Sequence, residues 1–304
     1  MNNFAFAIEV MHGIEDLLKA PSLKDSPKDP DSIRKAARAW EISTCINNGF
    51  PYIAYNEDDV VGTNVKLADI KRVLVRANRF HDPESIEELN KTLGPRGKID
   101  PVTWFEKHHR KKSIISAKDD KKITDWFRYL GRDDLKREVA FMSPRDWDDE
   151  SKIPEISKKR CFIKPPMKRG FEARIYKSFK EFLKECYGVV RTPAIISEPI
   201  EIKRDSSGTL EYRCFIVGHK VSTVSRNLDN PKHNVPGEVA DFANECAARN
   251  KNKLPPLYVM DIGYTDRGLV VIELNPLAPS GLFVRNDPAK FMPDVMKYVR
   301  TLSK

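Results

Sequence analysis

The spacing of apolar positions changes along the chain. From 31 to 48 it is helical. Ile33, Ala36, Ala37, Trp40 and Ile46 form one stripe, Asp31 or Ser32 can cap its start, and Gly49 stands where a helix ends. Residues 52–55 and 73–75 are predicted strands, and 1–11 reads as a first strand or an N-terminal packing segment. Helical spacing is predicted again over 83–93, over 119–128 with Ile123, Trp126, Phe127 and Leu130 on one side, and from 133 to 139. The acidic, then proline-containing, then basic stretch at 148–158 reads as a connection between units.

The second half is rich in strands. Short apolar runs fall at 160–165, 171–176, 194–200, 211–217 and 221–225, the last two as a hairpin across 218–220. Ser178 and Glu181 make a capping box for a helix to 187. Val239, Phe242, Ala243 and Cys246 lie inside a helix to about 250, and 287–302 is a final amphipathic helix. These patterns divide the chain into an N-terminal α/β domain (1–115), a helical connection (116–158) and a strand-rich α+β domain (159–304).

The most informative stretch is 257–283. Two β-branched runs flank Asp266-Arg267-Gly268, which reads as a three-residue hairpin loop with Gly268 at positive φ. In that register Thr265 faces Leu269, Asp261 faces Glu273, and Asn275 shares their face. A two-residue loop would shift the register by one and break this pairing. Opposed carboxylates destabilise a sheet unless a cation joins them, and Mg²⁺ accepts a few carboxylate oxygens with water and phosphate completing its shell. The alternative is a solvated acidic face.

Composition narrows the choices. The chain has 304 residues, 40% hydrophobic and 32% charged, enough for one large domain or two ordinary ones. It shows no apolar run of membrane-span length and no signal-peptide pattern, so a membrane partner is not expected. Five dispersed cysteines without a Cys-x-x-Cys argue against a zinc site or a disulfide framework and fit a cytoplasmic location. The net charge of +9 suits a polyanion, either nucleic acid or nucleotide phosphate, or a basic solvated surface. The cluster at 107–112 is a candidate contact for a phosphate-rich partner. Its adjacent His108 and His109 would point to opposite faces of a strand, which argues against joint metal binding.

The strand-rich half offers cations at one end (Lys164, Lys168, Arg169, Arg213, Arg226) and oxygen ligands at the other (Asp261, Glu273, Asn275). Nucleoside triphosphate chemistry needs both. The loop at 165–170 can close over phosphates but lacks Walker spacing. The ordered series Phe-Ile-Lys-Pro (162–165), Ser-Glu-Pro-Ile (197–200), Glu-Tyr-Arg-Cys-Phe-Ile-Val (211–217), Val-Ser-Thr-Val-Ser-Arg (221–226), Asp-Ile-Gly (261–263), Ile-Glu-Leu-Asn-Pro (272–276) and Ser-Gly-Leu-Phe (280–283) resembles the ATP-grasp superfamily. It is most similar to bacterial and phage ATP-grasp-domain proteins of the clade that holds the eukaryotic assembly chaperone for a translation initiation factor. The resemblance spans about 115–303 and leaves 1–110 unmatched.

The resemblance implies two α+β subdomains gripping ATP between antiparallel sheets, after an N-terminal α/β domain. It implies that Lys164 and Lys168 contact ATP phosphates beside Arg169, that Ser197, Glu198 and Ile200 form the adenine hinge, and that Glu211 and Arg213 are the central-strand pair. Arg226 is implied to meet the γ-phosphate or an acyl-phosphate, and Asp261, Glu273 and Asn275 to hold Mg²⁺. The expected activity is an ATP-dependent carboxylate–amine ligase acting through an acyl-phosphate on small-molecule or peptide substrates. The alternatives are a non-catalytic ATP-binding assembly factor with a protein partner, and a nucleic-acid-binding or nucleic-acid-modifying protein.

Overall fold

The computed structural model describes residues 4–10, 30–56, 60–70, 72–76, 113–114, 127–165, 171–186, 192–226, 235–277, 280–283 and 286–301. The predicted helix at 83–93, the cluster at 107–112, most of 119–128, and Lys168 and Arg169 lie outside them.

The N-terminal unit comprises β1 (Phe4–Glu9), α1 (Pro30–Asn48), β2 (Tyr52–Tyr55), β3 (Val60–Thr63), β4 (Arg72–Arg76) and β5 (Ser113–Ile114). Its sheet runs β3-β2-β1-β4-β5, with β1 parallel to both β2 and β4. A central parallel strand is covered on both faces and reads as an unbroken apolar run, and every position of β1 is buried. Phe6 and Ile8 face α1, which buries Ala36, Ala37, Ile42 and Cys45, while Ala5 and Ala7 pack on Ile53 and Val73. Ile46, expected in the helix stripe, is 44% exposed, because the whole last turn at 46–49 is exposed. Gly49 follows at φ +63°, the helix-ending conformation expected.

The second unit comprises α2 (Arg132–Leu135), β6 (Val139–Met142), β7 (Cys161–Lys164), β8 (Arg174–Tyr176), α3 (Phe179–Cys186) and β9 (Ala194–Ser197). The strands form an antiparallel sheet in the order β6-β9-β7-β8. Part of the stretch expected as a helical connection therefore supplies an edge strand. Phe179 and Phe182 of α3 pack with Trp147, Ile156, Cys161 and Ile163 beneath it.

The third unit comprises the short pair β10 (Arg204–Asp205) and β11 (Gly208–Thr209), then β12 (Glu211–Val217), β13 (Lys220–Arg226), α4 (Gly237–Arg249), β14 (Leu257–Thr265), β15 (Gly268–Pro276) and α5 (Pro288–Thr301). The main sheet is antiparallel, in the order β13-β12-β14-β15. Strand alternation splits β12 cleanly. Cys214 and Ile216 pack with Val239, Ala243 and Cys246 of α4, while Phe215 and Val217 join Phe291 and Val295 of α5. The α5 cluster also contains Phe6, Ile8 and Ala36, so it cements the N-terminal unit to the third. A mostly parallel unit followed by two antiparallel ones is the architecture expected above. Among the described residues no helix is long and apolar enough to cross a membrane.

A buried charge cluster reinforces that junction. Arg76, at the end of β4, donates from Nε to Glu41 Oε1 (2.7 Å), from Nη2 to Ser280 O (2.9 Å) and from Nη1 to Leu277 O. Arg38 Nη1 donates to the other Glu41 oxygen at 2.6 Å. Burial opposes the charge on Glu41, but Arg38 and Arg76 overcome it and hold its pKa below the ordinary value. Burial takes Arg76 down to about 10 despite Glu41. The guanidinium also lies 5.7 Å from the Phe215 ring centre and 5.8 Å from that of Phe291. All five cysteines are free thiols, and Cys45, Cys161, Cys214 and Cys246 are buried.

Candidate active site

The hairpin brings its acids together by a different route from the one expected. Thr265 pairs with Gly268, so the loop is one residue shorter and the register starts one step off. A bulge at Ile272 then restores the step, and Asp261 faces Glu273 after all. Gly268 takes φ +84° as expected. Gly263 accommodates the bulged residue, since a Cβ there would lie 2.7 Å from Ile272 Cδ1 and 3.4 Å from Ile202 Cγ1.

Register carries the row across a third strand, because Arg213 of β12 faces Asp261. Its Nε and Nη2 donate to the two Asp261 oxygens at 2.8 Å each, a bidentate pair. Asn275 Nδ2 lies 3.0 Å from Asp261 Oδ2 and 3.2 Å from Glu273 Oε2. From the other sheet, Lys164 Nζ reaches Glu273 Oε1 at 3.3 Å. Burial opposes the charge of Arg213, but Asp261, Glu273 and Glu211 outweigh it and hold the guanidinium pKa above its ordinary value. Glu211 lies two residues from Arg213, on the same face and opposite Gly263. The result is a line of alternating charge across two facing sheets.

Beside this line lies a cavity of about 550 Å³. Phe162, Ile195, Ile200, Ile202 and Ile272 give it apolar walls, and Lys164 and Glu273 stand at its charged end. Such a slot can take a flat apolar ring, with a charged tail directed to the cations. The expected hinge residues Ser197, Glu198 and Ile200 all line it. Glu198 is nonetheless tied into the scaffold. Its Oε2 accepts from Arg267 Nη1 (2.9 Å) and Glu138 N (3.2 Å), and its own N–H donates to Glu138 O. The Arg267 hydrogen bond leads the causes that lower its pKa.

Arg226 does not join the cluster. Ser225 faces Arg213, so Arg226, one residue on, points to the opposite side of the sheet. There it makes a bidentate pair with Asp205 (2.7 Å to each oxygen) and donates to Thr209 O and Gly208 O. The expectation that it meets the γ-phosphate is corrected by strand parity. Two contacts escaped sequence reasoning. Phe283 lies 4.4 Å from the Arg213 guanidinium, and Gly281 O accepts from Arg213 Nη1 at 3.3 Å. The Ser-Gly-Leu-Phe series is visible in the sequence, but nothing in it indicates contact with Arg213, 70 residues before Phe283.

Among the described residues no group of three or more His, Cys, Asp and Glu side chains is poised to hold a metal. The available set is Asp261 and Glu273, drawn together on one amide nitrogen of Asn275. A half-turn of that amide presents Oδ1 to the same point, leaving two carboxylates and one carbonyl-type oxygen. This donor set fits Mg²⁺ when phosphate and water complete the shell, and does not form a closed protein cage.

The profile of an ATP-grasp domain, family 3 of its clade, matches residues 93–295. The fold is similar to that of the macrocyclase MdnC from Microcystis aeruginosa MRC, solved with its precursor peptide MdnA (13% identity, 97% of this chain and 99% of that one, TM-score 0.53). It is similar to the ATP-grasp ligase PsnB complexed with minimal precursor, Mg and ADP (12% identity, 98% of each chain, TM-score 0.51). It is also similar to D-alanine–D-alanine ligase from Bacillus anthracis (11% identity, 99% of each chain, TM-score 0.52). No curated protein sequence matches the chain.

Proposed function

The chain belongs to this ATP-grasp domain family, and from that premise we propose that it is an ATP-dependent carboxylate–amine ligase. The observation that carries the reading is the charge line Lys164–Glu273–Asn275–Asp261–Arg213 at the mouth of an apolar slot. The slot takes the adenine ring and the line takes the triphosphate. Lys164 and Arg213 neutralise the phosphoryl group in transfer. Asp261, Glu273 and Asn275 are the residues that would hold Mg²⁺, whose chemistry is to offset charge on the β and γ phosphates.

The γ-phosphoryl group passes to a substrate carboxylate oxygen, giving an acyl-phosphate and ADP. An amine then attacks the acyl carbon, loses a proton, and expels phosphate as the amide forms. No protein nucleophile is required. Arg213 lies between Asp261 and Phe283, where it meets the carboxylate being activated. Peptide substrates are the reading favoured by the precursor peptides bound to MdnC and PsnB.

The test is calorimetric titration of ATP with and without Mg²⁺, beside Asp261→Asn and Glu273→Gln, followed by ADP release with candidate carboxylate peptides. Metal-dependent binding is expected, weakened in both variants, with turnover in Glu273→Gln lower by about 100-fold or more. Unchanged turnover in Glu273→Gln would falsify the ligase assignment. Tight binding with no turnover for any carboxylate would move the protein to the assembly-factor alternative.

A further inference from the structure

A second cavity, of about 410 Å³, lies between the segment 127–138 and the outer edge of β6. Its cations are Arg128, Arg132, Lys136, Arg137 and Arg267, and its carboxylates are Glu138 and Glu198. Glu198 is already bonded to Arg267. A basic solvated surface would look similar in charge alone, and Arg137 separates the two cases. It is only 8% exposed and makes no ion pair among the described residues. Nη1 donates to Leu135 O (3.0 Å) and Val271 O (2.9 Å), but Nε is buried with no partner. A buried guanidinium without a counter-charge is unfavourable, and chains keep one where an anion completes it. Arg137 also lines the nucleotide cavity, so it stands in the wall between the two.

We propose that this basic cavity is a second anion site, taking a small phosphate-bearing ligand on Arg137 with Arg132 and Lys136 at its rim. Arginine forks match phosphate oxygens in pairs, and the volume falls within the range of about 300–1,000 Å³ usual for small-molecule sites. An anion here competes with Glu198 for Arg267, so occupancy loosens the tie that fixes the hinge.

The experiment is thermal unfolding in sodium pyrophosphate without divalent metal, against sodium chloride of equal ionic strength. Wild type and Lys164→Gln are both expected to show a saturable rise in melting temperature with pyrophosphate. The half-saturating concentration should rise on the order of tenfold or more when Arg132→Gln and Lys136→Gln are combined. Arg137→Met should lose the pyrophosphate response while melting no lower than wild type without it. Should Arg137→Met fail to fold, the rim pair decides. The proposal is overturned if pyrophosphate acts no differently from chloride on wild type. It is also overturned if the response survives the rim substitutions and disappears in Lys164→Gln, which would place the anion in the nucleotide cleft.

Discussion

Two charge clusters in this molecule use the same residue types to opposite ends. At the domain junction, Arg76 and Glu41 have side chains 0% exposed. Arg76 has further partners in the carbonyls of Leu277 and Ser280. At the active site, Lys164 and Glu273 are 16% and 32% exposed, and their contact is long for a charged pair. The sealed cluster has no room for exchange and fixes the loop after β15. The open row has partners that a nucleotide phosphate can replace. Burial and donor satisfaction, rather than residue identity, separate a structural charge cluster from a catalytic one.

The largest test of this contrast is Glu41→Gln, which leaves Arg38 and Arg76 buried without a counter-charge. A loss of about 3–5 kcal/mol is expected by urea unfolding. Because the folded pKa of Glu41 is depressed, its contribution is complete above the ordinary carboxylate range and is lost as pH falls through the lowered value. Wild type should therefore lose stability in acid, and Glu41→Gln should lose less. Asp134, lowered by Arg249 and Asn250 against its burial, keeps the variant from becoming acid-insensitive.

Gly263→Ala comes next. Its Cβ would drive Ile272 towards the slot, costing about 1–3 kcal/mol in stability, and ATP affinity measured by calorimetry should fall with it. Glu273→Gln should cost under about 1 kcal/mol in the same urea experiment, since its partly exposed pair is screened. A loss as large as that of Glu41→Gln would erase the distinction between the clusters. The smallest effect is expected from Asp205→Asn, whose side chain is 42% exposed beside Arg226. A few tenths of a kcal/mol in stability and unchanged ATP binding are expected. Weakened ATP binding in this variant would return Arg226 to the site.

The fold was legible where periodicity alone decides. FAFAIE is buried throughout as a central parallel strand, and alternation in β12 sorts its side chains between α4 and α5. The acidic row was legible for a partly fortuitous reason, because a shorter loop and a bulge at Ile272 cancel. No pattern announces a bulge, since it depends on how Gly263 and Ile272 fit together in three dimensions. The place of Arg226 in a motif points to the phosphates, and the period of two along β13 opposes that assignment. Arg76 was invisible as a functional support. It closes a strand like many surface arginines, and its partners lie 35, 201 and 204 residues away. Arg137 was missed for the same reason, because burial is a property of the assembled layers.

The thiols give the molecule an internal clock. Cys45 sits in the N-terminal layers, Cys161 under the second unit's sheet, and Cys214 and Cys246 beneath α4. Burial pushes all four pKa values up, that of Cys161 to about 11, so none offers a thiolate to an alkylating reagent while its layer is closed. Cys186, half-buried at the end of α3, has no such shelter. Timed alkylation read by peptide mass would therefore report how often each layer opens, and whether bound ATP slows the opening of one layer or of all three.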